Sequence, residues 1–296
     1  MNPGFAPDAP DVTPRDAATV ILLRDGADGL ELFFVKRHAD VRFMGGAYVF
    51  PGGKLEASDS DPRVPGDLDL EASAARLGDP EPARARGLHV AAIRECLEEA
   101  GVLFACESLT PEDVSSLRHA CDVEKRSFLE ILPPRGVSLR LSALVPFARW
   151  ITPRQETRRF DARFFVAAVP EGVTAVHDTR ETVESAWLSP TEALARASRD
   201  EILLVPPTYR TVQQLAAART VAEVVAGAPS QLETRMPRVA FTGEGSPVVL
   251  LPDDPEHAAA THAASPSHDI DFRAEMATRF TFRDGGWRPG RCLIRS

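Results

Sequence analysis

The chain has 296 residues, 44% of them hydrophobic, which suffices for one large domain or for one domain with a substantial extension. Its formal net charge of −9 argues against a nucleic-acid-binding surface, and no apolar run reaches the length that crosses a membrane. Of Cys96, Cys106, Cys121 and Cys292, no two have the spacing of a metal knuckle or a redox pair, so reduced thiols in a cytoplasmic protein are expected.

Residues 1–14 show no signal-peptide pattern and read as a disordered lead-in. Ala17–Arg24 and Leu30–Arg37 are β-rich runs, and the polar link between them predicts a hairpin. Ala47–Phe50 is a short extended piece stopped by Pro51-Gly52-Gly53. From about 60 to 87 the chain is rich in Asp, Pro, Ala and Arg without a sustained apolar period, and it reads as a surface insertion with one short helix at Leu70–Leu77. Leu88–Ala100 reads as a strong helix. Thr110 and Pro111 have the character of an N-cap and a first helical residue, for a helix reaching Ala120, and a further short helix is predicted over Glu124–Ile131.

Leu141–Ile151, Arg163–Val169 and Glu184–Leu188 are strand-like, and Ser189-Pro190-Thr191-Glu192 opens another helix. Pro207–Ala218 and Thr220–Ala226 are read as helical, and Val248–Leu251 and Arg279–Arg283 as short β pieces. The organisation is a main domain over 15–228 and an extension over 229–296 that lies on it. One local basic cluster, Arg149, Arg154, Arg158, Arg159 and Arg163, suits either a solvated face or a small anionic ligand.

The helix ending at Ala100 poses the chemical question. Val90, Ile93, Leu97 and Ala100 follow a helical period and make one apolar face. Glu95, Glu98 and Glu99 share another, at spacings where like charges repel by a few tenths of a kcal/mol per pair. Either this is an ordinary solvated acidic face, or the carboxylates form a platform for a hard divalent cation, which prefers oxygen ligands and leaves room for substrate phosphates. The Gly52-Gly53 turn upstream lets backbone approach a ligand closely, and Gly101 is a plausible helix C-cap.

Together these pieces resemble the Nudix box, which reads Gly, five residues, Glu, seven residues, then Arg-Glu-U-x-Glu-Glu-x-Gly-U with U a bulky aliphatic. Arg94, Glu95, Cys96, Leu97, Glu98, Glu99, Ala100, Gly101 and Val102 match its second half, with Cys96 a mild departure. The first half begins at Gly53 and places Asp59 where the box has its first Glu, after which Ser60–Ile93 replaces the usual seven residues. A box split at this point resembles the coenzyme A diphosphatase subgroup. Arg37, Arg42, Gly46 and Phe50-Pro51-Gly52-Gly53 resemble that subgroup's upstream signature, with His38 departing from it, and Trp150–Phe165 resembles its segment after the box.

Over residues 15–220 the resemblance implies an α/β class protein, the Nudix α/β/α sandwich with a mixed sheet. It implies Mg²⁺ or Mn²⁺ held by Glu95, Glu98, Glu99 and the carbonyl of Gly52, with Arg94 holding a glutamate in place. The general base would be a box glutamate or a later one, Glu181 or Glu184. A small-molecule diphosphate would meet Arg37, Arg42, Gly46, Phe50, Gly53 and Arg158. Coenzyme A or an acyl ester is the expected substrate. ADP-ribose, NADH or another nucleotide is the alternative within the class, and a non-catalytic Nudix ligand-binding regulator the alternative outside it. A homodimer is common in the family.

Overall fold

The structure is a computed structural model that describes residues 12–39, 45–178, 182–241, 247–255, 257–258, 278–283 and 286–289. The strands are β1 (Arg15–Gly26), β2 (Gly29–Arg37), β3 (Ala47–Val49), β4 (Gly52–Lys54), β5 (Val145–Ile151), β6 (Phe160–Ala168), β7 (Thr182–Leu188), β8 (Leu203–Leu204), β9 (Thr234–Arg235), β10 (Arg238–Phe241), β11 (Pro247–Leu250), β12 (Arg279–Arg283) and β13 (Gly286–Pro289). The helices are α1 (Leu70–Leu77), α2 (Pro82–Ala100), α3 (Pro111–Asp122), α4 (Phe128–Ile131), α5 (Pro190–Ser198), α6 (Pro206–Leu215) and α7 (Val221–Ala226).

β1 lies at the centre of a mixed sheet ordered β8-β3-β2-β1-β6-β5-β9, with β4 paired to β1 and β7 to β2. It runs antiparallel to β2 and β4 and parallel to β6. Its apolar run is buried on both faces, as a central strand requires. Ala18, Val20 and Leu22 face α2, together with Phe33, Val35 and Phe165. Ile21 and Leu23 face the opposite layer of α5, α6 and α7, together with Phe34, Phe50 and Val166. This is the expected α/β/α sandwich.

Helix caps fall where the side chains predict them. Thr110 accepts from the Asp113 N–H, Ser189 from Glu192 and Thr220 from Glu223. The strand-like run from Leu141 opens as a 3₁₀ turn before β5, and the helix sought over Glu124–Ile131 shrinks to α4.

The insertion differs from the surface segment read in the sequence. The box helix begins at Pro82, two turns before Leu88, and is buried nearly all round. Val64, Leu77 and Ala85 belong to its core. Arg86 is buried because its guanidinium donates to the carbonyls of Val64 and Leu68. Asp79 accepts from Arg84 of α2 and from Arg163 of β6, tying the insertion to the sheet. Arg163 also pairs with Asp16 and Asp161, and Arg149 with Asp161, so part of the Arg cluster is internal structure rather than a free basic face.

Of the described part of the extension, β9 joins the edge of the main sheet beside β5, and β10-β11-β12-β13 form a second, antiparallel sheet. Val239, Val249, Leu251 and Phe280 join the core on the face away from α2. A buried ion pair, Asp254 with Arg279, closes its base.

Candidate active site

The site is built where β4 passes between β1 and the last turns of α2. Gly52 is paired with Thr19 and Gly53 with Ala18. A Cβ on Gly52 would come within 2.6 Å of the Ala18 carbonyl, and one on Gly53 would collide with the Glu95 carboxylate. At position 52 the neighbour is backbone and only glycine fits, whereas a side chain at position 53 would displace the Glu95 carboxylate. Glu99 accepts a hydrogen bond from the Gly52 N–H at 3.0 Å, which holds its carboxylate against the turn.

Arg94 is the hub. Its Nε and Nη2 donate to the two Asp59 oxygens, each at 3.0 Å, a bidentate pair in which both residues are buried. Nη2 also donates to the Lys54 carbonyl, while Nη1 donates to Glu95 at 2.8 Å and to Glu98 at 3.2 Å. Burial opposes the Arg94 charge, but Asp59, Glu95 and Glu98 more than offset it and hold the guanidinium firmly protonated. Asp59 is itself fixed by the Glu56 N–H in the 3₁₀ turn Ala57–Ser60. The residue that departs from the box therefore still supplies a carboxylate to Arg94, from the mouth of the insertion. Burial pushes the Glu98 carboxyl up to about 7; Arg94 opposes that shift and Glu95 adds to it.

Beyond Gly101, residues 176–178 run back along the helix end. The Val176 N–H donates to the Ala100 carbonyl at 2.8 Å and the Asp178 N–H to the Glu99 carbonyl at 3.1 Å. Glu181 lies outside the described residues, three positions after this contact. Glu184 instead pairs with Lys36 at 3.3 Å, beside Tyr48, whose hydroxyl burial, and after it Glu184, push up to about 12. Phe34 and Tyr48 belong to the core opposite α2 and Lys36 alternates with Val35, so Glu184 sits on the wrong face of the sheet to be the base. His177 meets Ser185 of β7 at 3.0 Å.

Of the substrate-contact candidates, Arg37 ends β2 on the face that carries Phe33 and Val35, the face of α2, and its Nε is buried without a hydrogen-bond partner. Gly46 donates to the Arg37 carbonyl. Arg42 lies outside the described residues. Phe50 is 3% exposed, stacks on Phe34 at 5.0 Å and belongs to the core on the other face, so its role is packing and not substrate contact. Arg158 is exposed on the β5–β6 loop, whereas Arg159 is buried and donates to the Thr152 and Val12 carbonyls. Two groups near Glu98 carried no signal in the sequence. They are Arg118, which donates to its carbonyl, and the Lys125–Asp122 pair at 3.5 Å, with Lys125 in the left-handed region at φ 55°.

Carboxylate oxygens together with a backbone carbonyl are the donor set of a hard divalent cation. A cation would also stabilise the charged form of Glu98, which burial, and after it Glu95, disfavours. As arranged, the acids are satisfied internally, Glu95 and Glu98 by Arg94 and Glu99 by the Gly52 N–H. Among the described residues no three acidic, His or Cys side chains converge on one point. The residues fit an ion by their chemistry, and binding one would draw the carboxylates off these partners.

A sandwich whose sheet presses a glycine turn against an acid-rich helix is the arrangement of the Nudix hydrolases. The comparisons agree. The sequence profile of the NUDT19 Nudix domain matches residues 70–215. The chain is similar to the acyl-coenzyme A diphosphatase NUDT19 of Homo sapiens, 28% identical over 272 residues that cover 77% of this chain and 72% of the relative. It is 25% identical to the Xenopus laevis protein of the same name, covering 62% of this chain and 59% of that one. Among solved structures, a NUDIX hydrolase from Alicyclobacillus acidocaldarius superposes with a TM-score of 0.59 at 27% identity, over 73% of this chain and 97% of that one. By these likenesses the chain resembles the Nudix hydrolases, and within that superfamily the coenzyme A diphosphatases.

Proposed function

We propose that this enzyme cleaves the diphosphate of coenzyme A or an acyl-coenzyme A, giving 3′,5′-ADP and (acyl-)4′-phosphopantetheine. The observation that carries the reading is the set Glu95, Glu98 and Glu99 held by Arg94 and by the Gly52-Gly53 backbone. Glu95, Glu98, Glu99 and the Gly52 carbonyl would hold Mg²⁺ or Mn²⁺. When bound, such an ion neutralises diphosphate charge and makes a bound water acidic. Arg94, braced by Asp59, holds Glu95 and Glu98 together, and the Gly52 N–H holds Glu99. Glu181 is our candidate for the proton acceptor, because three residues of chain span at most about 10 Å from the Asp178–Glu99 contact. The free thiols of Cys96, Cys106 and Cys121 are in keeping with a reducing compartment such as the cytoplasm.

The choice of substrate is supported by the names of the relatives and by Arg37, whose buried, unpartnered Nε leaves a donor for an anion on the α2 face. Dephospho-coenzyme A keeps the scissile diphosphate and lacks only the 3′-phosphate. A charge-assisted hydrogen bond to that phosphate is worth roughly 1.5–3 kcal/mol, about ten- to a hundredfold in kcat/KM. The wild type should therefore prefer coenzyme A by that factor, and Arg37→Ala or Arg42→Ala should narrow the gap. Faster hydrolysis of ADP-ribose or NADH than of coenzyme A would overturn the substrate and leave the diphosphatase class standing.

A further inference from the structure

The C-terminal end of α2 carries both Glu98 and Glu99, and every helix end leaves carbonyls without intrahelical partners. Here each is accounted for. Gly101, at φ 67°, closes the helix, and its N–H bonds the Leu97 carbonyl while that of Val102 bonds Cys96. The Ala100 and Glu99 carbonyls take the N–H groups of Val176 and Asp178. The remaining carbonyl, that of Glu98, takes no backbone donor. It takes Arg118 of α3, through Nε at 3.1 Å and Nη2 at 2.9 Å. The third guanidinium nitrogen, Nη1, lies against Gly101, 3.0 Å from where a Cβ would stand.

α3 is well placed to deliver this group. Its N-terminus is set by the Thr110–Asp113 capping box, and Leu117, Ala120 and Cys121 bury its inner face in the core of α2. A cation at a helix C-terminus is also favoured by the helix dipole.

We propose that Arg118 is a positioning residue. By forking onto the Glu98 carbonyl it fixes the last turn of α2, and with it the main chain from which the Glu98 and Glu99 carboxylates project. This rests on the reading of those two acids as metal ligands. Groups that orient metal ligands without touching the ion contribute roughly ten- to a hundredfold in metal affinity or activity.

The test compares Arg118→Met, Arg118→Lys, Arg76→Met and Glu99→Gln in the full chain. Arg76 of α1 in the insertion is the control, since its guanidinium also serves main-chain carbonyls, through Nη2 to Ser142 at 3.1 Å and Leu144 at 2.8 Å, but away from the end of α2. Mn²⁺ binding is measured by calorimetry without substrate, beside thermal melts in EDTA and steady-state kinetics at saturating metal. Arg118→Met is expected to keep its circular dichroism, to weaken Mn²⁺ binding by about tenfold or more, and to lower kcat while the substrate KM stays near the wild-type value. Arg118→Lys should recover part of the affinity. Arg76→Met should lower the melting temperature and leave Mn²⁺ affinity alone. Unchanged Mn²⁺ affinity in folded Arg118→Met, or an equal loss in Arg76→Met, overturns the positioning role. If Arg118→Met does not fold, Arg118→Lys decides by the same measurement. If Glu99→Gln binds Mn²⁺ as tightly as the wild type, the metal-site reading beneath the proposal is what fails.

Discussion

His89 sits on α2 one turn before Arg94, fully buried, with its ring 4.9 Å from Phe165. Its Nδ1 lies 2.9 Å from the Ala85 carbonyl, to which it donates, and Nε2 is buried without a partner. Burial holds its pKa down at about 4; the bond to Ala85 opposes the shift, and Arg76 and Arg86 add to it. The unfolded chain takes up this proton near 6.5, so between roughly pH 6.5 and 4 the unfolded state binds more protons than the native one. Stability should rise with pH across that window and be lost as pH falls through it, by about 3 kcal/mol for this one group. Urea melts at pH 7.5 and 4.5 on the wild type and on His89→Leu check this: the acid-side loss should be smaller in the variant by roughly that amount, and equal losses would remove His89 from the account. None of this was legible in the sequence, where His89 fell on no pattern. The acids and Arg94 were legible, because they fall in one contiguous run of a single helix, Arg94 to Glu99, at the spacings of a known motif. Asp59 read as a defect, since only the fold reveals that it reaches Arg94 across the insertion. Arg118 left no trace, because a side chain that serves a carbonyl twenty positions away obeys no local period.

At the scale of elements, the insertion is where pattern and structure part. A run of Asp, Pro and Arg with scattered apolar residues reads as a loop, and a loop can be shortened cheaply, at about 0.6 kcal/mol per doubling of length. Yet Val64 and Leu77 are packed into the α2 core, and Arg86 looks polar in sequence while being buried by carbonyls that only the folded insertion supplies. α1 was legible because Asp69 caps it locally and Gly78 closes it. The first turns of α2 were not, since their burial is entirely tertiary. Excising Asp61–Glu81 while retaining Asp59 should therefore strip α2 of one wall. A buried Leu removed to Ala already costs about 2–5 kcal/mol, and losing the whole wall should exceed the 5–15 kcal/mol that holds a typical domain together. The deletion protein is expected to be insoluble, or to bind the dye ANS and melt without a cooperative transition. A soluble deletion variant with a sharp melt would return the insertion to the surface.

For the whole molecule, the sheet separates two cores with different duties. The α2 side carries the acids, Arg94, Arg118 and the insertion; the opposite side joins α5, α6 and α7 to the second sheet. Strands β11 and β12 were legible as short apolar pieces, but their partners β10 and β13 were not, because edge strands of four residues carry too little alternation to stand out. Phe280 on β12 tests the division. It is fully buried and meets Tyr209 of α6 edge-on at 5.4 Å, so it links the extension to the main domain. Truncating it to Ala should cost about 3–5 kcal/mol, the loss of a large core side chain plus the cavity it leaves. Because Phe280 packs on the face away from α2, that cost should fall on stability alone. Phe280→Ala is expected to unfold at lower urea with kcat, KM and Mn²⁺ affinity unchanged under conditions where it remains folded. If the slope of unfolding free energy against urea also falls and a second transition emerges, the two cores melt separately and the extension is an independent unit. If instead turnover falls in the folded variant, the second sheet reaches the substrate, and the division of duties between the faces is wrong.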